Sequence, residues 1–272
     1  MAFRNAIVVF GAVVLFLATT EAGKPLFSYV GMNGPEKWAS LSPNFSLCSN
    51  GKAQAPINIV TSDAVVNEKL IPLNAGYQDE VDGILTNYGF QIAIQFDKIK
   101  GIGDISIGMR NFTLKSMHWH APAEHTIDGI RYPLEGHLVH YDKDGKMSIV
   151  AFFYEYGHPD SFIKQLEKPL VELKKQMKDM NGEAHFNLTA LQTRALDKKV
   201  VKYFRYDGSS TTPPCTEPVI WNLVPKLRKV SEEQVALMRD VVDMNCKENA
   251  RPLQPLNGRK VEIFHAPKHH AV

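Results

Sequence analysis

The sequence predicts a mixed, mainly β fold: a single domain around a large, mostly antiparallel twisted sheet with a few peripheral helices. Three observations carry that expectation. Short runs rich in β-branched and aromatic residues recur along the chain, bounded by Gly, Pro, Asn and Asp. Only two stretches show helical periodicity. No Gly/Ser linker or internal repeat divides the roughly 250 residues after an N-terminal leader, so 23–272 should share one core, frayed in its last few residues.

Residues 1–22 read as a secretory signal peptide, with an early cation at Arg4, an apolar run over 6–18 and a small-residue exit at Thr20-Glu21-Ala22. The run is too short to span a bilayer and no later segment approaches that length, so no membrane anchor is expected. An uncleaved anchor is the less favoured alternative. Strands are expected at 57–60, 84–87, 92–96, 105–110, 112–120, 132–141, 149–156 and 219–224, with turn chemistry at Ile127-Asp128-Gly129. Residues 162–180 form an amphipathic helix that Pro169 interrupts, in one piece or two. A second helix over 231–244 opens with a capping box, Ser231 with Gln234, and places Val235, Met238 and Val242 on one face. Both helices read as packing elements without chemistry. The net charge of +2 and 22% charged residues, with no basic run, give no sign of a nucleic-acid partner. The Lys268-His269-His270 tail reads as a frayed end.

Between Ser116 and His140 lie five of the ten histidines. Side chains alternate faces along a strand, so His118 and His120 point one way and Trp119 the other; Glu135, His137 and Val139 share a face on the next strand. If these strands pair antiparallel, three imidazoles converge. Three imidazoles without a fourth protein ligand suit a catalytic zinc, whose open position holds water; chance proximity is the bland alternative. The Gly208-Ser209-Ser210-Thr211-Thr212-Pro213-Pro214-Cys215 stretch reads on its own as a turn, and Glu124 as a solvated loop acid.

These residues, with Tyr29, Asn33-Gly34-Pro35-Glu36-Lys37-Trp38, Gln54-Ala55-Pro56-Ile57 and Arg251-Pro252-Leu253-Gln254-Pro255, resemble the α-type carbonic anhydrases, most closely plant-like members. The resemblance covers nearly everything after the leader. It implies zinc as cofactor, held by His118, His120 and His137, with Glu135 supporting the ligands from behind. Thr211 and Glu124 would orient the proton of a zinc-bound hydroxide. Val139, Ile149, Val219 and Trp221, with Ser210 and Thr212, would form the substrate pocket, although each apolar residue alone is equally well explained as core. The implied reaction is reversible hydration of carbon dioxide to bicarbonate and a proton.

Three positions depart from the family pattern. Ser116 stands where a Gln usually accepts the proton of the first ligand's second nitrogen. Ser210 replaces a Leu of the pocket wall. Phe90 occupies the place where the fastest members carry a proton-shuttling His. The rival reading is a secreted binding or storage protein of the same fold with weak or no activity. A metalloprotease-type hydrolase would need a His-Glu-x-x-His helix, which is absent.

The resemblance also implies a Cys48–Cys215 disulfide, as in secreted members; closing so long a loop could add at most ~4 to 5 kcal/mol. Cys246 reads as a buried inert thiol, with an intermolecular disulfide as the alternative. Asn44, Asn111 and Asn187 open sequons, of which one or two are expected to be used; Asn111 is the weakest because it opens a ligand strand. The expected location is the secretory pathway, extracellular (apoplast) by preference, with a plastid reached through that route as the alternative. The expected state is monomer or homodimer.

Overall fold

A computed structural model of the chain describes residues 26–96, 102–179, 184–194, 196 and 199–265. The expected leader, the basic tail and the last residue of the first expected helix, Met180, lie outside them. The dominant element is an eleven-stranded sheet. At its centre Arg110–His120 pairs antiparallel with Ile92–Gln95 on one side and Leu134–Tyr141 on the other. Beyond Ile92–Gln95 come Glu80–Asn87 and the edge strand Ala184–Gln192. Beyond Leu134–Tyr141 come Met147–Tyr156, Val219–Val230, Lys202–Gly208, Glu262–His265 and Val65–Val66. Two pairings in this sheet are parallel, Met147–Tyr156 with Val219–Val230 and Glu262–His265 with Val65–Val66, and the others are antiparallel.

Several boundaries differ from expectation for identifiable reasons. The expected strand 105–110 is Asp104–Ile107, because Gly108 adopts a left-handed conformation (φ 59°) and turns the chain into the next strand at Arg110. The Asp128-Gly129 turn forms as expected: both residues have positive φ, and Ile127 and Ile130 exchange backbone hydrogen bonds across it. The first expected helix is two pieces, Ser161–Lys164 and Glu167–Asp179. Pro169 is not the break. It sits in the first turn of the second piece, where its missing N–H costs no helical bond. The capping box at Ser231 and Gln234 forms, but that helix is Glu232–Asp240, and Met244–Cys246 makes a separate 3-10 turn. The strands Ala184–Gln192, Lys202–Gly208 and Glu262–His265 were not anticipated.

The central strand shows how the two sheet faces are kept distinct. Strict alternation would put Phe112 and Leu114 on the same side as His118 and His120. A bulge between Leu114 and Ser116 resets the alternation. Phe112, Leu114, Met117 and Trp119 therefore all enter the core beneath the helices, with Leu134, Leu138, Val150, Phe152, Phe162, Leu170 and Met238. Ser116, His118 and His120 are left on the opposite face. There a second apolar cluster contains Val139, Ile149, Ala151, Phe153, Val219 and Trp221. A third, with Phe27, Tyr29, Trp38 and Phe90, packs the N-terminal segment against the sheet.

Cys48 and Cys215 form a disulfide that closes 167 residues. Cys246 is buried, and burial pushes its thiol up to about 12, which leaves it protonated and inert. The three sequon asparagines, Asn44, Asn111 and Asn187, are exposed.

Candidate metal centre

The ladder register places His118 directly opposite His137. Two residues further, His120 pairs with Glu135. The three imidazoles thus arise from two adjacent strands, and their ring centroids stand 4.8 to 5.1 Å apart. One nitrogen from each falls within a common 4.8 Å span. His118 Nε2 and His137 Nδ1 are 3.1 Å apart. Nitrogens bound tetrahedrally at ~2.0–2.1 Å from zinc stand ~3.3 Å from each other, so the spacing suits that ion. His120 Nε2 is buried and has no hydrogen-bond partner among the described residues. A buried ring nitrogen left orphaned beside two others is what a metal would satisfy.

The outward nitrogens explain the ring orientations. His120 Nδ1 donates to the Asn249 carbonyl at 2.7 Å, and His137 Nε2 donates to Glu135 Oε1 at 2.7 Å. That carboxylate is held on every side: His125 Nδ1 also donates to Oε1 at 2.7 Å, and the backbone N–H groups of Glu124 and His125 donate to Oε2 at 2.8 Å. His125 in turn meets the Tyr206 hydroxyl at 2.6 Å. Burial would raise the Glu135 proton affinity, but His125 and His137 more than offset it and hold the carboxyl well below the usual range. Burial and the neighbouring imidazoles push His118 well down and His120 down to about 3, which keeps both rings neutral and able to bind a metal.

Glu124 is fully buried. Its Oε1 accepts the Arg251 backbone N–H at 3.0 Å, and its Oε2 lies 3.4 Å from His120 Nε2. Burial, then repulsion from Glu135, raises its proton affinity, while the Arg251 N–H and the Thr211 side chain lower it. The expectation of a solvated loop acid is therefore replaced by a buried carboxyl in contact with the ligand set. Thr211 lines a cavity of ≈ 90 Å³ over the histidines.

Of the expected pocket residues, Val139, Ile149, Ser210 and Thr212 line that cavity, together with Phe90 and Ser116. Val219 and Trp221 are buried behind it. Trp221 packs edge-on to His137, with ring centroids 4.9 Å apart, and donates its indole N–H to the Ser209 carbonyl at 2.9 Å. It holds the wall without forming it. Ser210 does not present its hydroxyl as a free group: Oγ donates to the Thr212 carbonyl and accepts the Thr216 N–H, which folds the loop on itself. Phe90 stacks with Tyr88 and abuts Phe27, at centroid distances of 5.9 and 4.7 Å. Gln91, His125, Asn249 and Arg251 were not assigned roles from sequence. Arg251 lies within a quoted motif and His125 within the 116–140 stretch, whereas Asn249 meets His120 through its backbone carbonyl, its side chain bonding the Ala121 N–H and the Phe90 and Trp119 carbonyls.

Residues 33–265 match the family model described as eukaryotic-type carbonic anhydrase. The chain belongs to that family. It is 37% identical to alpha carbonic anhydrase 7 of Arabidopsis thaliana over 85% of this chain and 81% of the relative. It is also 35% identical to dioscorin dioA3 of Dioscorea japonica, over 88% of this chain and 86% of that protein. Among solved structures, a dioscorin complexed with ascorbate is similar with a TM-score of 0.81 and 36% identity, covering 89% of this chain and 99% of the other. Alpha carbonic anhydrases are generally zinc-dependent, which agrees with the histidine cluster.

Proposed function

We propose that the protein is a zinc-dependent carbonic anhydrase that interconverts carbon dioxide and bicarbonate. The observation that carries the reading is the intact set His118, His120 and His137, with the His120 Nε2 atom buried and unpartnered between its neighbours. A bound zinc ion would supply a water made acidic near neutral pH. The chain's own residues would do the rest. Glu135 and the Asn249 carbonyl fix the tautomers and directions of His137 and His120. Thr211, with its proton committed to Glu124, would offer a lone pair to a proton held over the histidines and so orient it away from the cavity. That role needs Glu124 ionised, and a nearby divalent cation opposes the burial that raises its proton affinity. Val139 and Ile149 give a small uncharged substrate an apolar wall that binds it without strong directional bonds.

The resemblance to alpha carbonic anhydrases supports this reading, and the resemblance to dioscorins favours a second: a binding or storage protein of the same fold with weak activity. The intact triad supports the first, because drift away from catalysis relaxes the need to retain a buried unpaired imidazole nitrogen. Replacing His120 by Ala tests the assignment. Metal content and carbon dioxide hydration should both fall to background while the circular dichroism spectrum is kept. Full hydration in His120→Ala would reject it.

We further infer export through a cleaved leader at 1–22, supported by the disulfide and the three exposed sequon asparagines, Asn44, Asn111 and Asn187. An extracellular site follows most simply. No helix among the described residues is long and apolar enough to cross a membrane.

A further inference from the structure

A histidine that offers one nitrogen to a metal must carry its proton on the other, and an acceptor for that proton fixes tautomer and ring together. His120 and His137 have such acceptors in the Asn249 carbonyl and Glu135. For His118 Nδ1 no acceptor is found among the described residues. Two positions earlier on its strand stands Ser116, buried in the cavity wall, with no hydrogen bond to His118.

The same wall contains the converse defect. Gln91 is 1% exposed and lines the cavity, yet its Oε1 atom is buried without a hydrogen-bond partner. A buried amide oxygen is costly to leave unpaired, so a donor or a water belongs near it. The register narrows the choice of donor. Ala93 faces His118 across the ladder. Gln91, two residues from Ala93, shares its sheet face, while Ile92 between them enters the opposite core. Continued past the end of Ile92–Gln95, the same register sets Gln91 opposite His120, whose Nδ1 is already committed to the Asn249 carbonyl, and makes His118 its diagonal neighbour, a relation that places Cα atoms ~7–8 Å apart, within reach of a long side chain or of one bridging water. Ala93 has only a methyl group to set between them.

We propose that Gln91 is the positioning residue for His118: its carboxamide oxygen takes the Nδ1 proton, directly or through one water, and so presents Nε2 to the metal. The acceptor lost at position 116 is supplied from the adjacent strand. This inference rests on the zinc reading of the triad but not on catalysis, since its readout is metal retention.

The test measures zinc release from the loaded protein into excess chelator. Gln91→Leu should release zinc ~10 to 100-fold faster, the usual effect of removing a ligand's supporting partner. Adding Ser116→Gln in that background should return the rate to near that of the parent, which a merely structural role for Gln91 would not produce. Gln91→Glu, which keeps an acceptor, should hold zinc at least as well as the parent. If Leu impairs folding, Gln91→Met carries the same prediction. Parent-like release from the Leu or Met variant overturns the proposal, and so does fast release that Ser116→Gln fails to correct. A parent chain that takes up no zinc would instead overturn the metal reading itself.

Discussion

Gly136 and His137 are neighbours in the chain and belong to different chemistries. Gly136 faces the core beneath the helices, where a Cβ would meet the Phe152 ring at 2.6 Å, closer than such atoms approach. His137 faces the cavity, with one nitrogen tied to Glu135 and the other turned toward His118. The same contrast runs along the adjacent strand, where Met117 and Trp119 pack the core and Ser116, His118 and His120 face the site. One face gains its free energy mainly from apolar contact and shape, with the buried His140 as a polar exception. The other gathers buried polar groups that would be costly in a core, and it tolerates them because most are hydrogen-bonded and the remainder are arranged for a ligand. Changes on the core face should therefore alter stability and spare the chemistry, and changes at the site should do the reverse.

The largest expected effect on the core face concerns His140, fully buried with Nε2 against the Tyr77 hydroxyl at 2.6 Å. Burial pushes its pKa down to about 3, against ~6.5 in the unfolded chain. The unfolded state therefore binds the proton first. The contribution of the neutral ring is complete above pH ~6.5 and is lost as pH falls toward 3, by at most ~4 to 5 kcal/mol. Thermal melts of His140→Gln should show a flatter decline in stability from pH 7 to 4 than the parent, with unchanged hydration per folded molecule at pH 7. Equal pH slopes would contradict the assignment.

Phe90 tests the site side. Each turnover of the proposed reaction must export a proton, and the Phe90 ring, packed between Tyr88 and Phe27, cannot relay it. Direct transfer from a group of pKa ~7 to water is uphill by ~12 kcal/mol, which limits that step to ~10⁴ per second. Phe90→His should raise the maximal hydration rate by up to ~100-fold in weak buffer, and imidazole buffers should stimulate the parent saturably. A rate indifferent to both would mean that another group already carries the proton.

Gly136→Ala sharpens the contrast with the smallest change. The added methyl must displace the Phe152 ring, and overpacking of this kind costs ~1–3 kcal/mol. In a domain of this size that is a fall of roughly 2–4 °C in Tm per kcal/mol. Zinc content should be unaltered, although the substitution adjoins a proposed ligand. Loss of zinc at unchanged Tm would show that the two faces are not separable.

How much of this was legible in the sequence depends on whether the cause was local. The alternation of His118, Trp119 and His120, the Asp128-Gly129 turn and the Ser231–Gln234 cap are nearest-neighbour features, and each appears in the structure as expected. The bulge before Ser116 was not legible, because it depends on what the partner strand requires. The edge strand Ala184–Gln192 was missed because its exposed polar positions dilute the period-two pattern. Gln91 lies between the expected strands 84–87 and 92–96 and carries no signal of its own. Its relevance emerges only when the register sets it beside His118. The convergence of His118, His120 and His137 needed two strands, yet it was readable because the alternation on each strand puts these histidines on one face once the strands pair antiparallel.

The central claim, that this site binds zinc for carbon dioxide hydration, is tested most directly by measuring both on one purified sample. Metal analysis should find one zinc per chain; chelation should abolish hydration and re-addition of zinc should restore it. A fully zinc-loaded protein that hydrates carbon dioxide no faster than buffer, or hydration that survives complete removal of the metal, would contradict the account.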